Sequence, residues 1–265
     1  MRIDKTRRDT ISRIQTEKNN SMNRFFLKSC LLIAITAIIF TACSKENTVP
    51  DSPLNGKTTA EFNPDLTYGI MTDRDGNVYK TITIGTQTWM AENLRTTKYN
   101  DGTAIPNITS NEKWGALTTG AYCNYDNTTN TDTIATFGRL YNWYAVNTGK
   151  LAPTGWHIPT DAEWTTLITY LGGMFIAYDK LKETGTTHWV QNTGANNESG
   201  FTALPGGRCY YDGTFKNVNF GGYWWSFTEY DINRALGLYV HSSNCGVIRF
   251  NDNKKIGFSV RCVRD

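Results

Sequence analysis

The tryptophans and tyrosines of this chain are confined to its last three quarters. All eight tryptophans and all 14 tyrosines of the 265 residues lie between Tyr68 and Asp265. Because aromatic side chains bury large apolar surfaces, the core has to be built within these 198 residues (265 minus 67). A single domain of that size buries about 70% of the surface of its unfolded chain. The distribution therefore predicts one compact domain, residues 68–265.

A short apolar segment that ends at a cysteine precedes this domain. Residues 31–40 carry no charge, follow Arg24 and Lys28, and lead into the letters TAC that end at Cys43. Ten residues cannot cross a bilayer, which needs about 20, but a basic flank, a short apolar core and a small-residue cleavage site are typical of a secretory signal peptide. The letters FTAC resemble the bacterial lipobox, whose cysteine is acylated. We therefore predict lipidation at Cys43. A plain signal peptide and an uncleaved anchor helix are the alternatives.

The residues before this signal account for the positive charge of the chain. Residues 1–43 form the predicted leader, and Met22 is the more plausible start because residues 1–21 are polar and basic. The leader holds eight Lys and Arg against three Asp and Glu, which leaves 19 against 21 of the total 27 and 24 for residues 44–265. A mature protein near −2 lacks the basic face that nucleic acids need, so we expect no nucleic-acid partner.

Between the leader and the domain, residues 44–67 are rich in Ser, Thr, Asn, Pro and Lys. This composition predicts a flexible tether between a lipid anchor and the domain. Two or three acyl chains, at about 0.8 kcal/mol for each buried methylene, would keep the chain on a membrane permanently. We therefore expect the bacterial cell envelope as its location. Ser44 next to the lipidated cysteine favours the outer membrane.

Local patterns predict a hairpin and two helices. Residues 70–85 alternate around a turn at 73–76 and place Val78, Ile82 and Ile84 on one face. A helix is predicted near residues 138–147 from the spacing of its apolar side chains. The second helix starts with a capping box, Thr160 and Glu163, and ends at two glycines, 172 and 173. Capping explains Glu163, although an acid/base pair of Glu163 with His157 is the functional alternative.

The last third of the chain has the character of short strands. Four segments, GYWWSFTEY, ALGLYVH, GVIRF and GFSVRCVRD, are aromatic or β-branched and are separated by turn residues. In the last one, Phe258, Val260 and Cys262 share a face that we expect to meet the core. Residues 172–222 are rich in glycine and asparagine and are predicted to be a long loop region, where binding sites are often found.

Six segments follow one another along the chain: YKTITIGTQTWMAENLRTTKYNDGT, FGRLYNWYAV, LAPTGWHIPTDAEWTTL, SGFTALPGG, GYWWSFTE and GFSVRCVRD. In this order they resemble the Fibrobacter succinogenes major paralogous domain family over residues 70–265. Such domains occur in secreted and lipid-anchored bacterial proteins. IPTDAEW and GFSVRCVRD are more distantly similar to elements of the formylglycine-generating (sulfatase-modifying) enzymes. That resemblance implies an α+β, C-type-lectin-like fold, in which two helices pack on small antiparallel sheets with a long loop region.

Four cysteines lie in the domain: Cys123, Cys209, Cys245 and Cys262. An even number in an exported domain favours two disulfides. The family resemblance implies that Cys209 pairs with Cys245, since members usually carry other residues there, and leaves Cys123 and Cys262 as partners or as free core thiols. The copper chemistry of the formylglycine-generating enzymes is not expected, because these cysteines do not sit in that motif and His241 is the only activating neighbour in sequence.

Neither a metal nor a cofactor is predicted. Phe250, Asn251 and Asp252 resemble the Trp-Asn-Asp element of calcium-binding lectins, but the matching Glu-Pro-Asn is missing and calcium needs six to eight oxygen ligands. The three histidines, 157, 188 and 241, are dispersed, and no glycine-rich phosphate loop or Ser-His-Asp arrangement is evident. We therefore predict no catalytic residues.

Aromatic residues near the end of the loop region are the predicted ligand contacts. Tyr210, Tyr211, Trp224 and Trp225 could stack on sugar rings or peptides, with Glu229 and Arg208 as a polar rim. Alternation along a strand predicts that one of the two tryptophans faces a loop or solvent, although packing of both in the core is the competing interpretation. The sequence thus favours a lipid-anchored envelope protein that binds a glycan or protein ligand. An envelope oxidase or hydrolase on the same fold is the alternative.

Overall fold

The computed structural model describes residues 10, 13, 15–20, 51–243 and 246–265. The chain divides into two compact units, Met1–Thr48 and Val49–Asp265. In the first unit the described residues are helical and exposed. No helix in the described part of the chain is both long enough and apolar enough to span a membrane. Cys43 and Cys245 lie outside the described residues.

The second unit combines small antiparallel sheets with short helices. Its strands are β1 Gly69–Thr72, β2 Val78–Ile84, β3 Gln87–Met90, β4 Tyr122–Cys123, β5 Leu140–Tyr141, β6 Trp156–His157, β7 Gly206–Cys209, β8 Phe215–Val218, β9 Gly221–Glu229, β10 Arg234–His241, β11 Val247–Asn253 and β12 Val263–Arg264. They form a sheet of order β1-β2-β3-β12-β6, a sheet of order β11-β10-β9, and the pairs β4-β5 and β7-β8.

Its α-helices are α1 Asn111–Gly115, α2 Thr131–Phe137, α3 Trp143–Val146, α4 Asp161–Tyr170 and α5 Met174–Leu181, and a 3-10 turn covers Tyr125–Asn127. The predicted mixed architecture of helices and small antiparallel sheets is confirmed. Helix α5 lies within the region predicted to be loop.

The β1–β2 hairpin forms where the sequence predicts it. The Asp73 carboxylate accepts hydrogen bonds from the backbone N–H groups of Asp75 (2.9 Å) and Asn77 (3.0 Å), which closes the turn. Ile82 and Ile84 are buried as predicted. Val78 is exposed instead, because Tyr79 takes the inward position at this end of β2.

Helix α4 follows the predicted capping signal. The Thr160 hydroxyl accepts a hydrogen bond from the N–H of Glu163, and the Glu163 carboxylate accepts one from the N–H of Thr160 at 2.8 Å. The stripe of Trp164, Leu167, Ile168 and Leu171 is buried. The capping box and the apolar stripe therefore act together to fix where the helix begins and which face it buries.

The helix predicted near residues 138–147 is only partly correct. Leu140 and Tyr141 are paired with β4 instead, and helix α3 starts after them. The Asn142 side chain causes this boundary, since its oxygen accepts hydrogen bonds from the N–H groups of Ala145 (3.1 Å) and Ala121 (3.0 Å). An N-cap within the apolar pattern therefore separates a strand from a helix.

Strand β9 lies between two apolar cores. Trp225 belongs to the first core together with Tyr223 and Phe258, while Trp224 belongs to the second core together with Trp164 and Phe201.

The last segment predicted to be a strand, residues 257–265, is also buried on both faces over residues 258–262. Phe258, Val260 and Cys262 are buried as predicted, but Ser259 and Arg261 are buried too, and only the end of the segment is a strand.

Residues 51–67, here called the arm, belong to the part of the chain predicted to be a flexible tether. In the structure the arm packs on the domain: Phe62 and Leu66 contact the second core, the Asn63 side-chain N–H donates to the carbonyl oxygen of Asn197 (3.0 Å), and the Ser52 hydroxyl donates to the side chain of Asn77 (2.6 Å). The described portion of the predicted tether is thus part of the compact unit, since side-chain contacts offset its polar composition.

Candidate ligand-binding surface

Two of the predicted contact residues cannot touch a ligand. Trp224 and Trp225 are both fully buried, so the prediction that one of them faces a loop or solvent is wrong. Alternation does send them to opposite sides of β9, but each side is covered by a core. Their indole N–H groups donate inward as well, from Trp224 to the Asn93 side chain (2.9 Å) and from Trp225 to the carbonyl oxygen of Tyr141 (2.9 Å).

The other two aromatic residues lie at the tip of the β7–β8 hairpin. The turn is closed by the N–H of Tyr210, which donates to the carbonyl oxygen of Thr214 (2.7 Å), and by the Asp212 carboxylate, which accepts from the N–H of Thr214 (3.0 Å). The Thr214 hydroxyl donates to the same carboxylate at 2.7 Å, and this bond and the one from the Thr214 N–H lower the pKa of Asp212. Tyr210 is half-buried, and Tyr211 is 52% exposed with its ring centre 5.7 Å from that of Tyr210.

Two cations flank the Tyr210 ring. The guanidinium carbon of Arg208 lies 4.5 Å from its centre, and the ammonium nitrogen of Lys216 lies 4.7 Å from it. Arg208 and Lys216 face each other across the hairpin because they are register partners. Asp252, on the neighbouring β11, comes within 3.7 Å of the Arg208 guanidinium. We call the set Arg208, Tyr210, Tyr211, Lys216 and Asp252 the Arg208 surface.

One N–H group of the Arg208 guanidinium makes no hydrogen bond within the described residues. The Nη2 of Arg208 donates to the hydroxyl of Tyr210 (3.1 Å), and the guanidinium carbon also lies 4.8 Å from the centre of the Tyr223 ring. The Nε–H group is buried and has no hydrogen-bond partner among the described residues. Buried polar groups in folded proteins are normally paired with protein or water. The surface therefore offers exposed aromatic rings for stacking next to charged donors and a carboxylate acceptor.

Glu229 does not join this surface. It ends β9, where it is the register partner of Ala235 on β10. Its carboxylate is paired with the buried ammonium group of Lys254 at 2.5 Å, which in turn lies over the Trp143 ring. The role of Glu229 in the structure is therefore to neutralise Lys254, and the predicted polar rim reduces to Arg208.

Asn251 and Asp252, which resemble part of a lectin calcium site, are paired with arginine side chains in the structure. The side-chain oxygen of Asn251 accepts a hydrogen bond from Arg234 (3.1 Å), and Asp252 faces Arg208. Within the residues that the structure describes, no three His, Cys, Asp or Glu side chains are grouped so that they could hold a metal ion.

His157 and Glu163 do come together. His157 Nε2 lies 2.7 Å from Glu163 Oε1, and its Nδ1 lies 2.6 Å from Asp265 Oδ1. Burial lowers the pKa of His157, but the hydrogen bonds to the two carboxylates outweigh it, so the pKa is raised. Burial likewise raises the pKa of Glu163, and the bonds from Thr160 and His157 reverse this and lower it. Since Glu163 also caps α4, the cluster joins β6 and the Asp265 carboxylate to the start of that helix.

This cluster predicts a pH-dependent contribution to stability. A raised folded pKa of His157 stabilises the protein below the unfolded value of about 6.5 and is lost as the pH rises through the folded value. We expect His157→Gln to lower the melting temperature at pH 5.5 and to have less effect at pH 8.5, with a cost below about 1 kcal/mol because the groups are partly exposed. Thermal melts of both proteins across this range measure it.

His241→Gln is the matched control for that prediction, because the His241 ring contacts the hydroxyl of Ser243 at 2.6 Å rather than a carboxylate. In His241→Gln the loss of melting temperature is expected to be no larger at pH 5.5 than at pH 8.5. An equal loss of stability for His157→Gln at both pH values would contradict the linkage.

A second histidine cluster is visible only in the structure. His188 Nδ1 lies 2.7 Å from Glu183 Oε2, and its Nε2 lies 2.9 Å from the hydroxyl of Thr59. Glu183 and His188 are buried, whereas Thr59, on the arm, is exposed. The Thr136 hydroxyl completes the chain at 3.0 Å from that of Thr59. No sequence signal links these residues, because Thr59 and His188 are 129 positions apart.

The described cysteines are buried thiols. Cys123 and Cys209 share a small apolar cluster with Trp114, Ala121 and Leu140, and their thiols are in hydrogen-bond contact. Cys262 is fully buried in the larger core, away from that cluster. A bond between Cys123 and Cys262 is therefore not supported, and the free-thiol alternative fits Cys262. The predicted pairing of Cys209 with Cys245 involves a residue outside the described part.

Comparison with known proteins gives one match. Residues 82–264 match the family model described as the Fibrobacter succinogenes major domain. No curated protein and no solved structure matches the chain.

Proposed function

The chain belongs to the Fibrobacter succinogenes major domain family, and from that premise we propose that it is a lipid-anchored protein of the bacterial cell envelope whose domain binds a ligand without catalysis. Acylation of Cys43 holds it on the membrane, with the outer membrane as the expected site. The domain adopts a C-type-lectin-like arrangement, for which the small antiparallel sheets and the long segment between α5 and β7 provide support.

The observation that carries the binding role is the Arg208 surface. Tyr211 exposes half of its side chain at the tip of a hairpin whose strands pair at three register positions, and Tyr210 lies beside it between two cations. Tyrosine at a rigid position provides contact area at a low cost in conformational entropy. A sugar ring stacks on the exposed face of Tyr211 through its C–H groups, while its hydroxyls pair with Arg208, Lys216 and Asp252. We therefore propose a glycan as the ligand.

The test is binding of the full-length protein, purified in detergent, to a glycan array, followed by titration of the strongest glycan. We expect Tyr211→Ala to weaken that binding by about tenfold, which corresponds to about 1.4 kcal/mol of lost stacking and burial. Isothermal titration calorimetry measures the change in dissociation constant.

Tyr230→Ala is the matched control. Tyr230 is 54% exposed and lies under an arginine, Arg234 at 4.9 Å, yet it belongs to the β9–β10 turn. Its substitution is expected to leave affinity unchanged. Equal affinities of the wild type and Tyr211→Ala, or an array with no bound glycan, would refute the glycan proposal. A protein ligand at the same surface would then be the remaining form of the binding role.

The cluster of Thr59, His188 and Glu183 favours a hydrolase as the second candidate. A buried carboxylate that orients a histidine, which in turn accepts a hydrogen bond from an exposed hydroxyl, is the arrangement that activates a nucleophile. The same contacts also hold the arm on the domain, since the N–H of Glu61 donates to Glu183 at 2.6 Å. Release of acetate from acetylated glycans during the binding assay, lost in Thr59→Val, would favour the hydrolase over the binding protein.

A further inference from the structure

The structure brings together two cysteines that the sequence does not pair. Cys123 ends β4 and Cys209 ends β7, 86 positions later. Both side chains are at most 1% exposed, and the two thiols contact each other inside an apolar cluster. We propose that Cys123 and Cys209 form a disulfide bond in the exported protein.

The surroundings favour a disulfide over a reactive thiol. The neighbours of the pair are apolar side chains, and burial raises the pKa of Cys123 well above its ordinary value. Reactive cysteines need a nearby cation or helix terminus that stabilises the thiolate. The polar contact of Cys209 is from its Sγ to the carbonyl oxygen of Tyr210 at 3.7 Å, which does not stabilise negative charge. Export to an oxidising compartment, which the proposed function includes, favours oxidation of such pairs.

Formation of the bond consumes one disulfide of a thiol–disulfide oxidoreductase of the envelope. The thiolate of one cysteine attacks this disulfide, forms a mixed disulfide and releases the first thiol of the oxidant. The thiolate of the other cysteine then attacks the mixed disulfide, which forms the Cys123–Cys209 bond and releases the second thiol. The two protons and two electrons lost by the cysteines end on the reduced oxidant. Because both thiols are buried after folding, the exchange takes place while β4 and β7 are still assembling.

The bond would lie directly beneath the Arg208 surface. Cys209 is placed between Arg208 and Tyr210 in the chain, and alternation directs its side chain inward where theirs point outward. Gly257 approaches so closely that an added Cβ there would come within 3.1 Å of the Cys209 Cβ. A disulfide at this position anchors the end of β7, directly next to the turn that presents Tyr210 and Tyr211.

Peptide mapping of the full chain tests the pairing. The protein is expressed with its own leader in a bacterial host, purified from membranes, alkylated with iodoacetamide during denaturation and digested without reductant. We expect a peptide pair joined through Cys123 and Cys209 that separates on reduction, and we expect Cys262 to be alkylated. The linkage is independent of ligand binding, so its outcome is distinct from that of the glycan array.

Cys262→Ser is the control and is expected to keep the linked pair, whereas Cys209→Ala is expected to leave Cys123 alkylated. The mapping of the wild type decides the matter even where a variant does not fold. Alkylation of both Cys123 and Cys209, or a peptide that joins Cys209 to Cys245, would overturn the proposal.

Discussion

Arg261→Met is expected to lower the free energy of unfolding by about 3 to 5 kcal/mol, because each buried acceptor that loses its charged donor costs about 1 to 3 kcal/mol. The Arg261 side chain is fully buried. Its Nε donates to the Asn93 side chain (2.9 Å), its Nη2 to the carbonyl oxygen of Thr202 (2.7 Å), and its Nη1 to that of Phe201. Methionine fills much of the volume but leaves the two carbonyl oxygens without this donor, while the Asn93 oxygen keeps its hydrogen bond from Trp224. Urea denaturation monitored by tryptophan fluorescence measures the loss.

Among the residues that the structure describes, no carboxylate contacts this guanidinium, so the burial of its charge costs free energy. Burial lowers the pKa of Arg261 to about 9, and the ring of Phe201 lies 4.2 Å from the guanidinium carbon. The positive charge is thus balanced by carbonyl dipoles and an aromatic face. The acceptors around Arg261 match the planar guanidinium group with its several N–H donors, whereas lysine presents a single compact ammonium group. We therefore expect Arg261→Lys to recover only part of the stability that Arg261→Met loses.

Arg264→Met provides the control, because Arg264 is exposed on the same segment three residues later. Surface substitutions of this kind change stability by no more than about 0.5 kcal/mol. A loss below about 1 kcal/mol for Arg261→Met would mean that water replaces the arginine in the network.

Sequence reasoning succeeded where the signal is local. The turn at Asp73, the capping box of Thr160 and Glu163, and the alternation of β9 to β11 each depend on residues within a few positions of one another. Such contacts are encoded in spacing, and the structure contains the corresponding elements. Tyr210 and Tyr211 were selected as aromatic side chains near the end of the predicted loop region, and their contact with a ligand stays a prediction.

Reasoning from spacing failed where the partner is distant in the chain. Alternation in β9 assigns Trp224 and Trp225 to opposite faces but cannot tell that both faces carry a core. Lys216 could have been found from the turn at residues 212–213, which places it opposite Arg208. Asp252 and the pair of Cys123 with Cys209 have no such signal, because tertiary packing alone brings them together.

The composition of the arm also failed to predict its packing on the domain. A stretch rich in Ser, Thr and Asn is typical of a tether because it cannot bury much apolar surface by itself. Here Phe62 and Leu66 reach an existing core, and polar side chains find partners on the domain, as Thr59 does with His188. The average composition conceals two well-placed apolar residues that pack on this core, and the Phe62 ring also contacts Tyr68 and Lys80, which follow it closely in the chain.

The second large effect concerns the anchor. We expect Cys43→Ser to abolish incorporation of an alkyne-labelled fatty acid, with the signal falling at least about tenfold to background, because serine lacks the thiol that forms the thioether to the lipid. Labelling of cells that express the full chain, followed by capture and gel fluorescence, measures this change. The same labelled wild type is expected to yield an acylated peptide that begins at Cys43, since cleavage of the leader frees that residue.

Cys30→Ser is the matched control for the anchor, because it removes the other cysteine of the leader, 13 residues before Cys43. It is expected to keep full labelling, since Cys30 precedes the apolar segment and is lost with the leader. Labelling that disappears with Cys30→Ser, or a mature protein that retains residues 22–42 without acylation, would mean that a single apolar segment holds the chain. Mass spectrometry of the mature N-terminus separates the two modes of attachment, because a retained segment begins before Cys43 and carries no acyl chain.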